Sequence, residues 1–361
     1  MTEQEFRDRL LPWYRENQRD LPWRRLVTPY RTWISEIMLQ QTRVEAVKGY
    51  FERFIKELPT VYELAAVPDE VLMKLWQGLG YYSRARNLKR AAEIIVSQYG
   101  GRLPEDADEL IKLPGIGSYT AGAIASIAFG KRAPAVDGNV LRVYARVFGD
   151  GRDIADPATK RAFEGEVLSL MPEEGAGGSD NDCGDFTQGL IELGATVCLP
   201  NGAPLCDRCP FSDVCVARRE GRTDALPVRT KKAARRTEER TVLLVRSGGR
   251  YALVRRPETG LLASLYEFVN LEGRFSEGEA RAWLSSRGFP VREIRPIGEA
   301  KHIFTHIEWH MTGYLAEVEI DAPTLDAVFA TPEEIQKDYA VPSAFRYFLK
   351  FIAGAEGSDG L

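Results

Sequence analysis

Four cysteines crowded into one short stretch constrain this chain more than any other feature. They read Cys198-x7-Cys206-x2-Cys209-x5-Cys215, while the fifth, Cys183, stands apart and is expected to be a free thiol. The start, Met1-Thr2-Glu3-Gln4-Glu5-Phe6-Arg7-Asp8, carries acidic residues and no apolar signal core, so a cytoplasmic location is expected. Without a secretion signal, clustered thiols point to a metal or a cluster rather than to disulfides. Spacing alone leaves a [4Fe–4S] cluster and a structural Zn²⁺ near parity.

At 361 residues the chain is expected to form two domains. Residues 1–216 read as helical, with apolar residues at helical spacing through Val44–Ile55, Val71–Trp76, Leu88–Val96 and Val140–Phe148. The most apolar run, Gly117–Gly130, is too short to span a bilayer and reads as a buried helix, so no membrane partner is expected. Met171–Asp182, rich in Gly, Glu and Asp, reads as a loop. Residues 217–239 are polar and basic and read as an interdomain linker. Over 240–361, β-type runs at Thr241–Val245, Tyr251–Val254 and Tyr314–Ile320, with helices over Ser276–Arg287 and Ser343–Ala353, predict an α+β domain.

The formal net charge of −4 argues at first against a nucleic-acid partner, but phosphate contacts depend on where the basic residues lie. Two basic clusters stand out: Arg84, Arg86, Lys89 and Arg90, then Arg229, Lys231, Lys232, Arg235 and Arg236. Each, taken alone, reads as a solvated face or linker.

Chemistry enters with Leu113-Pro114-Gly115-Ile116-Gly117-Ser118-Tyr119-Thr120-Ala121. Gly115 and Gly117 permit a tight hairpin whose backbone N–H groups open onto a helix N-terminus, a phosphate site that needs no cation. Further on, Val136-Asp137-Gly138-Asn139-Val140 places Asp137 just before a helix, where an Asp is commonly an N-cap. Upstream, Trp33-Ile34-Ser35-Glu36-Ile37-Met38-Leu39-Gln40-Gln41-Thr42 sets Glu36 among apolar residues. A desolvated carboxyl there favours its protonated form and can act as a general acid; the competing reading is a surface Glu on an amphipathic helix.

The hairpin, the Asp137 segment and the cysteine set together resemble the helix-hairpin-helix DNA glycosylase superfamily. Trp33–Thr42, with Leu79-Gly80-Tyr81-Tyr82-Ser83-Arg84-Ala85-Arg86-Asn87-Leu88, resembles the MutY-type adenine DNA glycosylases specifically. The resemblance implies base-excision repair of duplex DNA, in which adenine mispaired with 8-oxoguanine or guanine is flipped out and its N-glycosidic bond hydrolysed. It implies that Glu36 protonates adenine, that Asp137 stabilises the oxocarbenium-like sugar, and that Asn139 orients one of these carboxylates. Members with lyase activity carry a Lys where this chain has Tyr119; without that amine no Schiff base forms, and hydrolysis without strand cleavage is expected.

By the same resemblance, Arg19, Trp23, Arg24 and Gln188 surround the flipped adenine. Gln41, Thr42 and Tyr81 enter the duplex, and Gly115, Gly117 and Ser118 meet its phosphates. The resemblance makes Cys198, Cys206, Cys209 and Cys215 ligands of a [4Fe–4S] cluster, in a loop whose first gap is one residue longer than usual. Residues 240–361 resemble an appended Nudix-like domain, in which Phe304-Thr305-His306 stands where the family has a Phe-Ser-His loop that reads 8-oxoguanine. The helix over Glu279–Gly288 lacks the acidic set that holds Mg²⁺ for nucleotide hydrolysis, so recognition rather than hydrolysis is expected there. A monomer acting on DNA is expected.

Overall fold

The computed structural model describes residues 1–175, 181–230, 235–320 and 325–352. Its contacts divide the chain into two compact units: Met1–Ala66 with Asn87–Lys231, and Val67–Arg86 with Lys232–Leu361. The division departs from boundaries at 216 and 240 in two ways. Residues after 217 belong to the first unit and are tied to it: Arg146 Nε donates to Leu226 O (2.8 Å), Ile154 N to Val228 O (3.0 Å) and Thr230 N to Asp153 Oδ1 (3.2 Å). Their polar composition hides this, because the ties run through main-chain and carboxylate groups and a single buried apolar side chain, Leu226. Val67–Arg86, helical in pattern, groups instead with the β-rich unit. Lys231 and Lys232 of the second basic cluster, residues 176–180 of the 171–182 stretch and Ala353 lie outside the described residues.

In the first unit, the helix Glu3–Asn17 opens with a capping box in which Thr2 and Glu5 satisfy each other's backbone N–H groups. Phe6 and Leu10 share one face and enter a core with Phe186, Leu190 and Leu193 of the helix Asp182–Thr196 and with Phe211 of the cysteine loop. The helix Pro29–Leu39 is started by Thr28 as N-cap and Pro29 at its first turn, and every residue from Thr32 to Met38 is buried. That decides the surroundings of Glu36: the helix is central, not amphipathic. Ser118–Phe129 is likewise buried from Thr120 to Ile127, as its apolar run implied.

The second unit is built on a seven-stranded sheet: β1 (Arg236–Ser247), β2 (Arg250–Arg255), β3 (Tyr266–Glu267), β4 (Val269–Glu272), β5 (Val291–Ile303), β6 (Ile307–Val318) and β7 (Val328–Ala330). The order is β3-β2-β1-β6-β5, with β4 also on β1 and β7 on β2; among the described residues only β1 and β6 run parallel. Alternation along β1 sends Val242 and Leu244 into one core with Trp309, Phe345 and Phe348. Leu243 and Val245 enter the other, with Ala280, Leu284 and Phe289. Helical segments thus cover both faces of the sheet, including Glu277–Ser286 within the span read from sequence.

Three details differ from expectation. β5 was not anticipated: its charges and Pro296 mask buried Ile294 and Ile297, and its pairing shifts register between Pro296 and Gly298. The run read as 314–320 begins at Ile307 and ends at Val318. The last helix is a 3-10 turn, Ser343–Phe345, followed by one helical turn, Arg346–Leu349. Among the described residues no helix is long and apolar enough to cross a membrane.

Candidate active site

A cavity of about 400 Å³ opens in the helical unit, and Glu36, Tyr119, Asp137 and Asn139 all line it. Glu36 is buried, and burial pushes its carboxyl up to about 7, with nearby Asp137 adding to the rise and the Tyr119 hydrogen bond opposing it. Tyr119 donates its hydroxyl to Glu36 Oε2 at 2.7 Å. A protonated Glu36 therefore carries its proton best on Oε1, the oxygen Tyr119 leaves alone.

Asp137 is an N-cap and lines the cavity at the same time. Its Oδ1 accepts the N–H groups of Asn139 (2.8 Å) and Val140 (2.9 Å) at the start of the helix Gly138–Phe148, while Oδ2 accepts Asn139 Nδ2 at 2.7 Å. Burial raises the carboxyl, and these donors, with Arg142, pull against it. Three N–H donors and a helix N-terminus suit the charged form. The Asn139 amide is aimed in turn by Arg142, whose Nη2 donates to Asn139 Oδ1 and to Gly194 O, both at 2.8 Å, and whose Nε donates to Cys198 O at 2.7 Å. Gly194 is required for this closeness, since a Cβ there would sit 2.5 Å from that of Asn139.

Arg19, Trp23, Arg24 and Gln188 all line the cavity. Their partners were not foreseen. Glu192, fully buried, accepts the Arg19 main chain (3.0 Å), Arg19 Nε (2.7 Å) and Nη2 (3.0 Å), and Arg24 Nη2 (2.9 Å). Burial pushes Glu192 up, but the two arginines outweigh it and hold it below the usual carboxylate range. Arg24 Nε also donates to Gln188 Oε1 at 3.1 Å. Much of the arginines' hydrogen-bonding capacity thus builds the wall. Trp23 is both wall and core, its ring edge-on to Phe51 at 5.7 Å. Sequence reading missed Glu192 and Arg142; a Glu inside an otherwise apolar helix, Leu190-Ile191-Glu192-Leu193, was the available signal.

Gln41 and Thr42 border the cavity, and Gln41 is exposed with φ of 59°, a left-handed conformation unusual for such a residue. At the hairpin, Gly115 has φ of 81° and has Asn87 Cβ 2.7 Å from where its own would stand. Gly117 caps the helix Ser118–Phe129 with no side-chain bond to its first N–H groups. Ser118 Oγ donates to Glu164 Oε1 at 3.0 Å in the free protein. In the second unit, Phe304–His306 is the turn between β5 and β6, closed by Phe304 N to Ile307 O at 2.8 Å. Thr305 and His306 are exposed, whereas Phe304 packs edge-on to Trp309 (4.9 Å) and His302 (4.6 Å). Tyr81, half-exposed, places its hydroxyl 3.0 Å from Thr305 Oγ1.

Cys198, Cys206, Cys209 and Cys215 line one cavity, with Arg146 Nη1 donating to Cys198 Sγ at 3.4 Å. Within the first gap Asn201, Gly202 and Ala203 are exposed, and Leu205 N donates to Val197 O at 2.9 Å. Cys183 is buried and apart from them, its thiol against Pro172 O.

A family model described as HhH-GPD superfamily base excision DNA repair protein matches residues 34–167, and a NUDIX domain model matches 241–351. The adenine DNA glycosylase of Homo sapiens is 34% identical, covering 97% of this chain and 74% of that protein. That of Buchnera aphidicola subsp. Acyrthosiphon pisum (strain APS) is 31% identical, covering 87% of each. The chain belongs to the MutY-type adenine DNA glycosylases. Solved structures agree over the helical part. A thermostable thymine-DNA glycosylase is 30% identical with a TM-score of 0.53, over 60% of this chain and 97% of that one. An endonuclease III in a non-covalent complex with DNA is 26% identical with a TM-score of 0.50, over 61% and 98%. As an adenine DNA glycosylase the chain is a base-excision repair hydrolase of N-glycosyl bonds acting on DNA, with a helix-hairpin-helix domain and a Nudix-like domain, in a family that generally carries an iron–sulfur cluster.

Proposed function

We propose that this glycosylase removes adenine paired with 8-oxoguanine, or with guanine, from duplex DNA, with Glu36 as general acid and Asp137 as the ionised partner on the sugar side. One observation carries the reading: a carboxyl raised to about 7 and a carboxylate held by three N–H donors line the same cavity. Adenine leaves poorly unless protonated, and its departure puts positive charge on the sugar; an acid and an anion answer the two demands. Glu36 Oε1 gives its proton to the base while Tyr119 steadies Oε2. Asn139 and Arg142 keep Asp137 ionised and in place. Arg19 and Arg24, both paired with Glu192, shape the adenine pocket with Trp23 and Gln188, and Glu192 offsets one of their two positive charges beside a developing cation.

Gln41, Thr42 and Tyr81 fill and wedge the duplex once the base is out. The hairpin N–H groups after Gly115 and Gly117 take a phosphate, for which Ser118 exchanges Glu164. Thr305 and His306 read 8-oxoguanine, with Phe304 as the packed base of their turn. With Tyr119 in the Lys position, hydrolysis stops at the abasic site.

The four thiols fit a [4Fe–4S] cluster. They line one cavity, and a set of four thiols in a family that generally carries an iron–sulfur cluster supports that group. The cluster would staple the loop that Arg142 joins to Asn139.

Single-turnover gels on duplexes with adenine opposite 8-oxoguanine or guanine test the reading. Strand breaks that appear only after alkali are expected. Breaks without alkali would overturn the monofunctional assignment, and no base release from either duplex would overturn the catalytic one.

A further inference from the structure

The turn that presents Tyr81 is stiffened from within and held from without. Gly78 and Gly80 have φ of 101° and 70°, and Tyr81 itself has φ of 48°, a conformation that persists only where the surroundings over-determine it. Trp76 Nε1 and Arg84 Nη2 both donate to Gly80 O at 3.1 Å, and Arg84 Nη2 also to Leu79 O at 3.1 Å. The Arg84 guanidinium lies over the rings of Trp76 (5.3 Å) and Tyr81 (5.5 Å).

The outer ties come from side chains on both sides of the turn. On the helix Asp69–Trp76, Lys74 Nζ donates to the carbonyls of Gln336 and Tyr339 (3.3 Å to the latter). Gln77 Nε2 donates to Val341 O at 3.1 Å, and Arg86 Nη1 to Ala263 O at 2.9 Å. Every acceptor is a main-chain carbonyl of the Nudix-like sheet unit. Gln336 lies in the helix Pro332–Asp338, whose last carbonyls attract an ammonium group. The phenol itself meets Thr305. Neither Lys74 nor Gln77 lines the cavity that holds Glu36 and Asp137.

We propose that Lys74 and Gln77 are positioning residues that tie the Tyr81 turn to the Nudix-like unit, so that reading of the opposite base at Thr305 and entry of Tyr81 into the duplex occur as one rigid movement. This rests on the lesion reading above. With the tie intact, a base that fits Thr305 brings Tyr81 to its place in the stack. With the tie cut, Tyr81 enters or fails to enter regardless of which base lies opposite. A purely structural role for the two residues would instead lower all rates together with thermal stability.

The test is the double variant Lys74→Met/Gln77→Leu in the full chain, with two readouts. Single-turnover rates are measured on adenine opposite 8-oxoguanine and opposite guanine. Fluorescence of 2-aminopurine beside the opposite base reports unstacking by Tyr81. The 8-oxoguanine-to-guanine rate ratio is expected to fall roughly 10-fold with the guanine rate unchanged. The fluorescence rise on binding should shrink, and Lys74→Arg should behave as the unaltered protein. An unchanged ratio and signal, or both rates falling in proportion with the melting temperature, would overturn the proposal. If the unaltered protein shows no preference for 8-oxoguanine, the lesion reading itself fails, and the fluorescence alone then judges the tie: an undiminished signal in the double variant ends it. Should the double variant not fold, Lys74→Met alone is read the same way.

Discussion

The cavity of the helical unit and the Phe304–His306 turn of the sheet unit work under opposite conditions. Glu36 sits among buried residues, accepts the Tyr119 hydroxyl and lies near Asp137, so its chemistry is set by desolvation, a short hydrogen bond and a neighbouring carboxyl. Thr305 stands in the open on a three-residue turn and is held by one hydrogen bond to Tyr81. A buried site is over-determined, so small changes reach its reacting groups; an exposed one changes selectivity while leaving turnover intact.

The largest contrast comes from the carboxylates. Asp137→Asn and Glu36→Gln should each lower base release by roughly 10²–10⁴-fold while duplex binding persists, measured by single-turnover gels and by gel shift. Turnover near normal in either variant would remove that residue from the chemistry. Next, the rate should fall as pH rises through about 7, where Glu36 loses its proton. In Tyr119→Phe that alkaline limb should move upward, because the lost hydrogen bond is one that lowers the Glu36 value. A limb that stays in place would separate Tyr119 from the acid.

Glu36 also carries a stability signature. Its folded value is raised from the ordinary glutamate range to about 7, so the folded state binds the extra proton over the pH range between the two. The stability this gives is whole below that window and is lost as pH rises through about 7. Glu36→Gln should therefore melt higher than the unaltered protein at pH 8, by on the order of 2 kcal/mol, and gain nothing at pH 4. Equal melting at both values would deny the burial argument. The smallest effect is expected at the open turn. Thr305→Ser should shift the 8-oxoguanine-to-guanine rate ratio by roughly 2- to 5-fold, with the guanine rate held, since one methyl group at an accessible position is worth little.

Much of this was accessible from residue strings. Leu113–Ala121 announced a hairpin before a buried helix. The cysteine spacing announced four thiols in one loop, which line one cavity, and the Glu36 and Asp137 strings announced two carboxyls, which line another. Other parts were hidden. β5 was obscured because exposed charges and Pro296 outnumber its buried residues, and residues 218–230 because their ties are mostly hydrogen bonds to residues distant in the chain.

Motifs of a few residues act through bonds between near neighbours, so the hairpin, the Asp137 cap and the thiol set follow from chain order alone. Partner choice does not. That Glu192 takes up Arg19 and Arg24, that Arg142 joins Asn139 to the cysteine loop, and that the Tyr81 turn belongs to the sheet unit were decided in three dimensions. The reason is physical: a charge is tuned, and a strained turn is held, by whatever packing brings within a few ångströms, and chain order does not encode that distance.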